Sequence, residues 1–402
     1  MARILTVGAA IERAIQAATA AAASAGTSTT KAAESAASAV TSANGAANAA
    51  AQAAQAALAK ADAEATAAAI RIELARGPGN VHSNYIPVDA PNIPSSTNFF
   101  TLTKVGDNVI LYGGVINNNT DSSYTVFLNK LGANLSWVGG ASYSGKERSQ
   151  HAAAPIRMQE GSITKHRLFI CGGINYNQPL ATCFIIDPVA NGSYILDVVN
   201  LPATRYAHTA SPLVNGNVLV CGGYVGGPTS NNCIVYDFAA NLWTVTQPLP
   251  LALQSHAAVT LPDGRVFVCG GKTGSNTASN RAFIYDPSIS SGQMWAEVAP
   301  MPGVVPTGYE GLGDAGARYF HTATSLPNGD VLVTGGYFAY GFSECLIYSP
   351  FYNTWRTNAS LPRMIYAHAA ASLGDGRVIV CGGQDFQSSV TSAAYTMNPT
   401  IL

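Results

Sequence analysis

From about residue 81 onward, hydrophobic residues recur in a regular pattern. A short run of β-branched, aliphatic or aromatic residues ends in a Gly-Gly pair, and this combination occurs six times. The pairs are Gly113-Gly114, Gly172-Gly173, Gly222-Gly223, Gly270-Gly271, Gly335-Gly336 and Gly382-Gly383. Their spacings are 59, 50, 48, 65 and 47 residues. Because such a period marks a repeated supersecondary unit, and short apolar runs bounded by glycine are typical of strands, the pattern predicts an all-β repeat architecture.

Further landmarks recur at matching places in these repeats. In the first five repeats an outer strand with an aromatic residue follows the central pair of strands, and these residues are Trp137, Tyr194, Trp243, Trp295 and Trp355. Leu-Pro or Met-Pro comes next, and the unit closes on Arg and His, as in Arg205-Tyr206-Ala207-His208. The fourth repeat lacks the Arg, and the first lacks both residues. In these landmarks the region resembles the kelch-repeat family over about 320 residues.

The kelch resemblance implies a β-propeller, which here would have six blades and occupy residues 84–402. Each blade would contain four antiparallel strands, named a to d from the axis to the rim. The Gly-Gly pair would end strand b, where a missing Cβ lets neighbouring blades crowd together. The sixth repeat stops three residues after Pro399, too early for a strand d. We therefore expect residues 84–89 to pair with the strand that contains Tyr395 and to close the ring.

Residues 1–76 have a different composition, with 34 alanines and no proline. Since alanine has the highest helix propensity, residues 26–76 are expected to form a helical stalk. Small residues recur there at alternating spacings of three and four, which is typical of a coiled-coil seam. Residues 1–25 are expected to form a shorter helix, and Gly77-Pro78-Gly79 begins a linker over 77–83. A flexible Ala/Ser/Thr linker is the alternative to the coiled coil.

Charge and hydropathy narrow the range of partners. The chain has 21 Lys and Arg residues against 22 Asp and Glu residues, a net charge of −1. Such a balance provides no positive field for nucleic acid or an anionic membrane. No apolar run reaches the roughly 18 residues of a membrane span. Glu12 and Arg13 interrupt the one stretch that resembles a signal peptide. We expect no nucleic-acid binding, no membrane insertion and no signal peptide.

The cysteines and histidines occupy repeat positions. Four of the seven cysteines directly precede a Gly-Gly pair, and the other three lie near the start of strand c. Five of the seven histidines share one position in strand a, and they are His151, His208, His256, His321 and His368. Symmetry-equivalent placement favours small buried core for the thiols and structural hydrogen bonding for the imidazoles. We expect reduced cysteines, no metal and no other cofactor. Disulfides between Cys171 and Cys183 and between Cys221 and Cys233 stay open as alternatives.

The sequence contains no recognisable enzymatic motif. Galactose-oxidase-like copper enzymes use kelch blades, and the stretch from Leu261 to Gly271 resembles their repeats, but no Tyr and Cys pair can be assigned to a copper centre. An Asp-box, a nucleophile elbow, a P-loop and a dinucleotide-binding fingerprint are all absent from the sequence. We expect a non-enzymatic protein. The alternatives are a kelch-type carbohydrate-active enzyme, either galactose-oxidase-like or a depolymerase, and a cellular kelch protein-interaction module.

Candidate binding residues lie in loops. By strand parity, the b–c and d–a loops share one face of a propeller, and these loops vary most between the repeats. Binding residues concentrate in loops on a rigid scaffold, and aromatic rings beside Asn and Asp suit sugar rings. The candidate ligand-binding residues are Tyr176, Tyr224, Tyr309, Tyr337, Tyr340, Phe342 and Phe386. The alternative is that these aromatic rings pack on their own blades.

The two halves of the chain together resemble a bacteriophage tail fibre. The stretch from Lys31 to Val40 is similar to the Ala/Ser repeats of fibre shafts. This resemblance implies a virion attachment protein that is made in the host cytoplasm and assembled into the tail. Residues 1–25 would dock on a tail or baseplate protein, and the stalk would form a homotrimer. The propeller would then bind a glycan or a protein on the host surface.

Overall fold

A computed structural model describes residues 84–400, apart from 117–119, 132–133, 161–162, 188–194, 275–276, 291, 304–314, 386 and 388. Every regular element in this described part is a β-strand. It includes no helix that could cross a lipid bilayer. The expected N-terminal helix over 1–25, the stalk over 26–76 and the linker over 77–83 lie outside the described residues.

The strands are short, and most contain two to five residues. In the first half they are β1 (Asn84–Ala90), β2 (Thr97–Asn98), β3 (Thr101–Val105), β4 (Asn108–Tyr112), β5 (Val115–Ile116), β6 (Thr120–Asp121), β7 (Tyr124–Leu131), β8 (Asn134–Ser142), β9 (Ala152–Glu160), β10 (Ile163–Cys171), β11 (Ile174–Asn175), β12 (Gln178–Pro179), β13 (Cys183–Ile186), β14 (Ile195–Val198), β15 (Arg205–Tyr206), β16 (Thr209–Pro212), β17 (Val218–Cys221), β18 (Tyr224–Val225) and β19 (Cys233–Asp237). In the second half they are β20 (Leu242–Thr246), β21 (Leu253–Gln254), β22 (Ala257–Thr260), β23 (Val266–Cys269), β24 (Lys272–Thr273), β25 (Ala282–Tyr285), β26 (Trp295–Val298), β27 (Thr322–Ser325), β28 (Val331–Thr334), β29 (Tyr337–Phe338), β30 (Tyr340–Gly341), β31 (Cys345–Ser349), β32 (Thr354–Asn358), β33 (Ile365–Tyr366), β34 (Ala369–Ser372), β35 (Val378–Cys381), β36 (Gln384–Asp385) and β37 (Ala394–Thr400).

Five four-stranded antiparallel sheets each use one continuous stretch of chain. Their strand orders are β3-β4-β7-β8, β9-β10-β13-β14, β16-β17-β19-β20, β22-β23-β25-β26 and β27-β28-β31-β32. We call them the first to fifth blades. A further sheet, the closing sheet, has the order β1-β37-β35-β34 and joins both ends of the described chain.

The predicted fold class, a six-bladed propeller on a helical stalk, is therefore corrected. The described residues form an all-β propeller with five continuous blades, and they include no helix. The physical reason lies in the strand pairing of the last repeat, whose three strands β34, β35 and β37 take β1 from the other end of the described chain as the fourth strand of their sheet. The position of the last repeat in the ring is taken by the closing sheet.

The closing sheet confirms the expected role of residues 84–89. Strand β1 runs antiparallel to β37 in continuous register from Asn84 opposite Thr400 to Ala90 opposite Ala394. The side-chain amide of Asn358 in the fifth blade also hydrogen-bonds β1. It accepts from Tyr85 N at 2.7 Å and donates to Tyr85 O at 2.8 Å. The first described strand is thus held by the closing sheet and by its neighbour.

A cyclic set of backbone hydrogen bonds surrounds the central channel. Each residue of the set donates its N–H to the carbonyl of the residue before it in the ring, over 2.8–3.0 Å. The members of this channel ring are Phe99, Gln150, Ala207, Ser255, Phe320 and Ala367, and their φ angles lie between +50° and +56°. A left-handed backbone costs about 1–3 kcal/mol at a non-glycine residue. This backbone conformation occurs in all six repeats despite its cost, because it allows the ring of hydrogen bonds to close.

The core lies between adjacent sheets. Phe169 of the second blade stacks on Tyr236 of the third with ring centroids 5.4 Å apart, and Phe267 of the fourth stacks on Tyr348 of the fifth at 4.7 Å. The outer-strand tryptophans connect four of the blades to the sheet before them, since Trp243 Nε1 donates to the Val199 carbonyl that follows the preceding blade. Trp137, Trp295 and Trp355 make the equivalent bond.

The cysteines are buried, as their repeat positions predicted, but they are not all reduced. Cys221 and Cys233 form a disulfide between strands b and c of the third blade. The other five are free thiols, namely Cys171, Cys183, Cys269, Cys345 and Cys381. The expectation of seven reduced cysteines is therefore wrong for this pair. Its two members lie directly opposite each other in the ladder, which is where a cross-strand disulfide forms.

Candidate functional site

The b–c loops do not run freely across the face that they share with the d–a loops. In each repeat the first residue after the Gly-Gly pair forms a β-bridge with one residue of the d–a segment, which precedes strand a of the same repeat. This partner lies two residues before the end of the d–a segment. The six pairs are Asn98–Val115, Ser149–Ile174, Tyr206–Tyr224, Gln254–Lys272, Tyr319–Tyr337 and Tyr366–Gln384. We call this the hairpin face. The pairs lie immediately outside the channel ring, because each d–a partner directly precedes a ring residue in sequence.

The Gly-Gly pair is required by the histidine of the next repeat. A Cβ on Gly335 would come within 2.7 Å of the Cε1 atom of His368, and Gly335 has φ +60°. The equivalent glycine of the last repeat, Gly382, faces Phe100 instead, which occupies the histidine position of the first repeat. Only glycine leaves room for the ring and tolerates this backbone.

The histidines are structural hydrogen bonders, which confirms the interpretation of their repeat position. The Nε2 atoms of His151, His256 and His368 bond threonine hydroxyls at 2.9–3.0 Å, and those of His208 and His321 contact cysteine Sγ atoms at 3.4 Å. Burial lowers the pKa of His256 to about 4 and that of His368 to about 3. The imidazoles are therefore neutral near pH 7. Within the described residues, no group of three or more metal-ligating side chains comes together.

Buried arginines hold the roots of three b–c loops. Arg205 donates from Nη1 to the Gly222 carbonyl at 2.7 Å and from Nη2 to the Asn232 side chain at 2.7 Å. Burial lowers the pKa of Arg205 to about 10. Arg148 and Arg318 bond the equivalent glycine carbonyls of their own blades. Because these bonds span a loop from one end to the other, they make the hairpin face rigid.

Five aromatic side chains contact one another on one side of the channel mouth. The rings of Tyr319 and Tyr337 are 5.7 Å apart, and those of Tyr337 and Tyr366 are 5.0 Å apart. Phe320 lies 5.0 Å from Tyr319 and 5.1 Å from Phe99. We call these five residues the aromatic arc. All are partly exposed, and burial together with the two neighbouring tyrosines raises the pKa of Tyr319.

Polar groups flank the aromatic arc at both ends. Lys272 Nζ lies 5.9 Å from the centre of the Tyr319 ring. At the other end, Asn98 Nδ2 donates to Gln384 Oε1 at 3.4 Å. Asn98 is only 3% exposed, and its Oδ1 atom has no hydrogen-bond partner within the described part of the chain. A buried acceptor without a donor costs about 1–3 kcal/mol, so this oxygen favours a donor from solvent or ligand.

The repeats themselves show that the fold does not require the aromatic arc. Two positions occupied by Tyr319 and Tyr337 in the fifth blade carry Ser149 and Ile174 in the second. In the channel ring, Phe320 occupies the position that holds Ala207 in the third repeat. A bulky side chain is the least favoured choice at a positive φ. The aromatic residues are therefore additions to a scaffold that forms equally well without them.

The structure places three of the predicted site residues near these features. Tyr337 belongs to the aromatic arc, and Tyr224 forms a second aromatic pair with Tyr206, 5.1 Å between centroids. Tyr176 is 65% exposed at the tip of its loop, where its N–H donates to Asp121 Oδ2.

The remaining predicted residues are placed differently. Phe342 is 6% exposed and lies beneath the guanidinium of Arg318, 4.1 Å from the ring centre, so its ring is part of the core rather than the surface. Tyr340 packs against Phe342 at 4.6 Å and is partly exposed. Tyr309 and Phe386 lie outside the described residues.

Six residues of the site were not predicted from the sequence. Five belong to d–a segments, namely Phe99, Tyr206, Tyr319, Phe320 and Tyr366, and the sixth is Lys272 of a b–c loop. A signal for them was present. Each of the first five lies one or two residues before the recurring repeat position held by histidine or by Phe100. Their repeat position was visible in the sequence, but their exposure at the channel mouth was not.

The sheet order, the Gly-Gly pairs, the histidines and the channel ring together define a kelch-type β-propeller. The chain belongs to the KLHDC2/KLHL20/DRC7 Kelch-repeats domain family, whose model matches residues 99–313. The matched stretch includes the first four blades and most of the d–a loop that precedes the fifth.

Two further proteins are similar to this chain. The solved structure titled "Structure of YjhT" superposes with a TM-score of 0.61 at 14% sequence identity, covering 76% of this chain and 95% of that one. The tRNA wybutosine-synthesizing protein 4 of Gibberella zeae is 32% identical over 86 residues, which is 21% of this chain and 8% of that protein. The first likeness concerns the fold alone, and the second spans less than a tenth of the relative's length.

Proposed function

We propose that the propeller is a non-enzymatic binding head whose ligand occupies the channel mouth on the hairpin face. The observation that carries this proposal is the aromatic arc. It gathers five partly exposed aromatic rings at positions where other repeats carry Ser, Ile, Ala or Gln. Since neither packing nor ring closure needs these rings, binding is the function that best accounts for them.

A glycan is the ligand class that suits this surface. Aromatic rings stack on the apolar face of a sugar, while amide groups and a lysine hydrogen-bond its hydroxyls. Asn98, Gln384 and Lys272 provide such groups at the two ends of the aromatic arc. Tyr176 and the Tyr206–Tyr224 pair would extend contacts along a longer oligosaccharide.

For the whole chain we propose a virion attachment protein of the tail-fibre type. The support is the Ala-rich sequence of residues 26–76, which precedes the binding head. In this proposal the stalk forms a homotrimer, residues 1–25 dock on a tail or baseplate protein, and the head binds a host-surface receptor. The protein would then reside in the virion.

A glycan panel tests the binding proposal. Wild-type protein and the double variant Tyr337→Ala/Tyr366→Ala would be applied to immobilised oligosaccharides. We expect selective binding by the wild type and at least a tenfold loss in the variant, because two stacking platforms are removed. The matched control is Phe351→Ala/Tyr352→Ala, which removes two rings that are 69% and 58% exposed on the opposite face. Equal loss in both variants, or no loss in either, contradicts the proposal.

Light scattering of the full chain tests the stalk. We expect the mass of three chains for residues 1–402 and the mass of one chain for residues 77–402. A monomeric full-length protein would refute the trimer. Gold-labelled antibody against the propeller, applied to tailed phage particles carrying the protein, should label the tail, and labelling elsewhere or not at all would refute the virion proposal.

A second candidate is a kelch protein-interaction module, and the family match over residues 99–313 favours it. The same variants separate the two candidates. A polypeptide ligand at the same face is indicated if the wild-type protein binds no glycan of the panel but binds a member of an immobilised peptide library. The variant Tyr337→Ala/Tyr366→Ala should then lose binding to that peptide.

A further inference from the structure

The second and third blades each carry a pair of cysteines at the same place. Cys221 and Cys233 lie opposite each other where strands b and c leave the sheet, and they form a disulfide. Cys171 and Cys183 lie opposite each other at the equivalent place in the second blade. These two are free thiols.

No other blade has a complete pair. The opposing residues at this place are Tyr112 and Thr125, Cys269 and Ala282, Thr334 and Cys345, and Cys381 and Ala394. A single cysteine is enough to fill the core there, so packing does not explain why two neighbouring blades have both. In every blade the opposing residues at this place lie at the root of a b–c loop, but only in the second and third blades can they form a bond across that root.

We propose that Cys171 and Cys183 are a second disulfide site, which clamps the root of the loop formed by residues 172–182. Cys171 directly precedes this loop and Cys183 directly follows it, so the bond would close the loop at its base. The loop carries Tyr176 and Asn175 on the hairpin face. Together with Cys221–Cys233, the bond would hold two adjacent loops of that face in fixed conformations.

The reaction is thiol–disulfide exchange with a low-molecular-weight disulfide such as oxidised glutathione. One cysteine, as the thiolate, attacks the glutathione disulfide and releases one glutathione thiolate, which takes up a proton. The second cysteine loses its proton and attacks the mixed disulfide, which releases the second glutathione. Two cysteine thiols are thereby oxidised, and one glutathione disulfide is reduced to two thiols.

Burial decides when this exchange takes place. Cys171 and Cys183 are both at most 1% exposed, so a small disulfide cannot reach them in the closed blade. Burial also raises the pKa of the Cys171 thiol, which suppresses the reactive thiolate. The bond therefore forms while the second blade is open, during folding, and is retained once the blade closes.

The experiment uses the full chain, refolded either with oxidised and reduced glutathione or with dithiothreitol. The products are denatured, labelled with N-ethylmaleimide and digested with trypsin. Cys171 and Cys183 share the tryptic peptide 168–205, and Cys221 and Cys233 share the peptide 206–265. Each disulfide therefore appears as an unlabelled peptide that is lighter by two hydrogen atoms, without any need for cross-linked peptide analysis.

We expect both peptides to be oxidised after refolding with glutathione, leaving 7 − 4 = 3 labelled cysteines. Dithiothreitol should leave all seven labelled. The proposal would be overturned if peptide 168–205 carries two maleimide groups while peptide 206–265 contains its disulfide. So would mixed disulfides between the two peptides in place of the expected pairs.

Two further measurements separate a loop clamp from a passive bond. Oxidation should slow amide hydrogen exchange in residues 172–182 and raise the Tm. The variant Cys183→Ala should lose the slowed exchange and should keep only the smaller rise in Tm that Cys221–Cys233 provides. The control Cys269→Ala removes an unpaired core thiol and should keep both. Unchanged exchange in 172–182 after oxidation would contradict the clamp even if the disulfide forms.

Discussion

At the scale of single residues, the repeats act as internal controls for one another. Phe100 replaces the histidine of the first repeat, and Leu253 replaces the arginine of the fourth, and both are buried like the residues they replace. The sequence therefore contains substitutions that the fold already tolerates. They guide the variants below, in which a residue is exchanged for its own symmetry equivalent.

The buried histidines make stability depend on pH. Unfolded histidine takes up a proton below pH 6.5, whereas folded His368 does so only near its lowered pKa of about 3. The unfolded state thus binds more protons between these values, and stability falls as pH falls through this window, by about 1.4 kcal/mol per pH unit for each such histidine. His368→Phe should be less stable at pH 7 but should show a flatter decline. Urea unfolding at pH 7, 6 and 5 measures the slopes, and parallel slopes would contradict the prediction.

Arg205 is expected to matter for stability more than its charge suggests. Arg205→Leu leaves the Gly222 carbonyl and the Asn232 side-chain oxygen without their donor, at about 1–3 kcal/mol for each group, whereas the Asn232 carbonyl keeps its bond from the Gly222 N–H. We expect a loss of about 2–4 kcal/mol in the free energy of unfolding. The control Arg281→Leu breaks an exposed ion pair with Glu297 and should cost less than about 1 kcal/mol. Chemical denaturation of both variants tests the contrast, which fails if the two losses are equal.

At the scale of elements, one strand decides whether the ring is complete. Strand β1 covers the outer edge of β37 and buries Tyr85, which is 4% exposed, against the core of the closing sheet. Without β1 that edge would present unpaired N–H and carbonyl groups and an exposed apolar surface.

Truncation tests this closure. Deletion of residues 1–76 should leave a soluble propeller that unfolds cooperatively, because β1 is retained. Deletion of residues 1–95 should give an aggregating or non-cooperative product, because β1 is lost together with the Asn358 clamp. Thermal melts followed by circular dichroism distinguish the two, and identical melting curves would show that closure does not depend on β1.

At the scale of the whole molecule, the question is which face binds. The hairpin face carries the aromatic arc, whereas the opposite face carries the long hairpin of β9 and β10 in the second blade. Replacing Tyr340 and Phe342 would be a poor test, since Phe342 is core and its loss would cost about 3–5 kcal/mol. Tyr337 and Tyr366 are the better probes of this face.

We expect Phe320→Ala to abolish ligand binding while changing the Tm little. Alanine already occupies this channel-ring position in two other repeats, at Ala207 and Ala367. The opposite-face control is Gln159→Ala/Lys165→Ala in the β9–β10 hairpin, which should bind normally. Glycan binding and thermal melting are measured on the same preparations. If the hairpin variant loses binding and Phe320→Ala retains it, the ligand site lies on the opposite face.

Much of the fold was already determined by the sequence, because propeller repeats are built from local signals. The Gly-Gly pairs predicted where strand b ends, the histidine position predicted a buried hydrogen bonder, and the missing last strand predicted pairing with residues 84–89. Each depends on chain neighbours or on a strict repeat, so each can be read without coordinates.

Only the tertiary structure decided the composition of the site. Phe99 and Phe320 are far apart in sequence, and they meet because ring closure brings the first and fifth repeats to either side of Ala367. The tertiary structure also placed β1 in the sheet of the last repeat. It placed Phe342 beneath Arg318, although loop position alone had marked Phe342 as exposed. Side-chain exposure and contacts between distant repeats depend on how the sheets pack around one axis, and no local pattern in the chain encodes that.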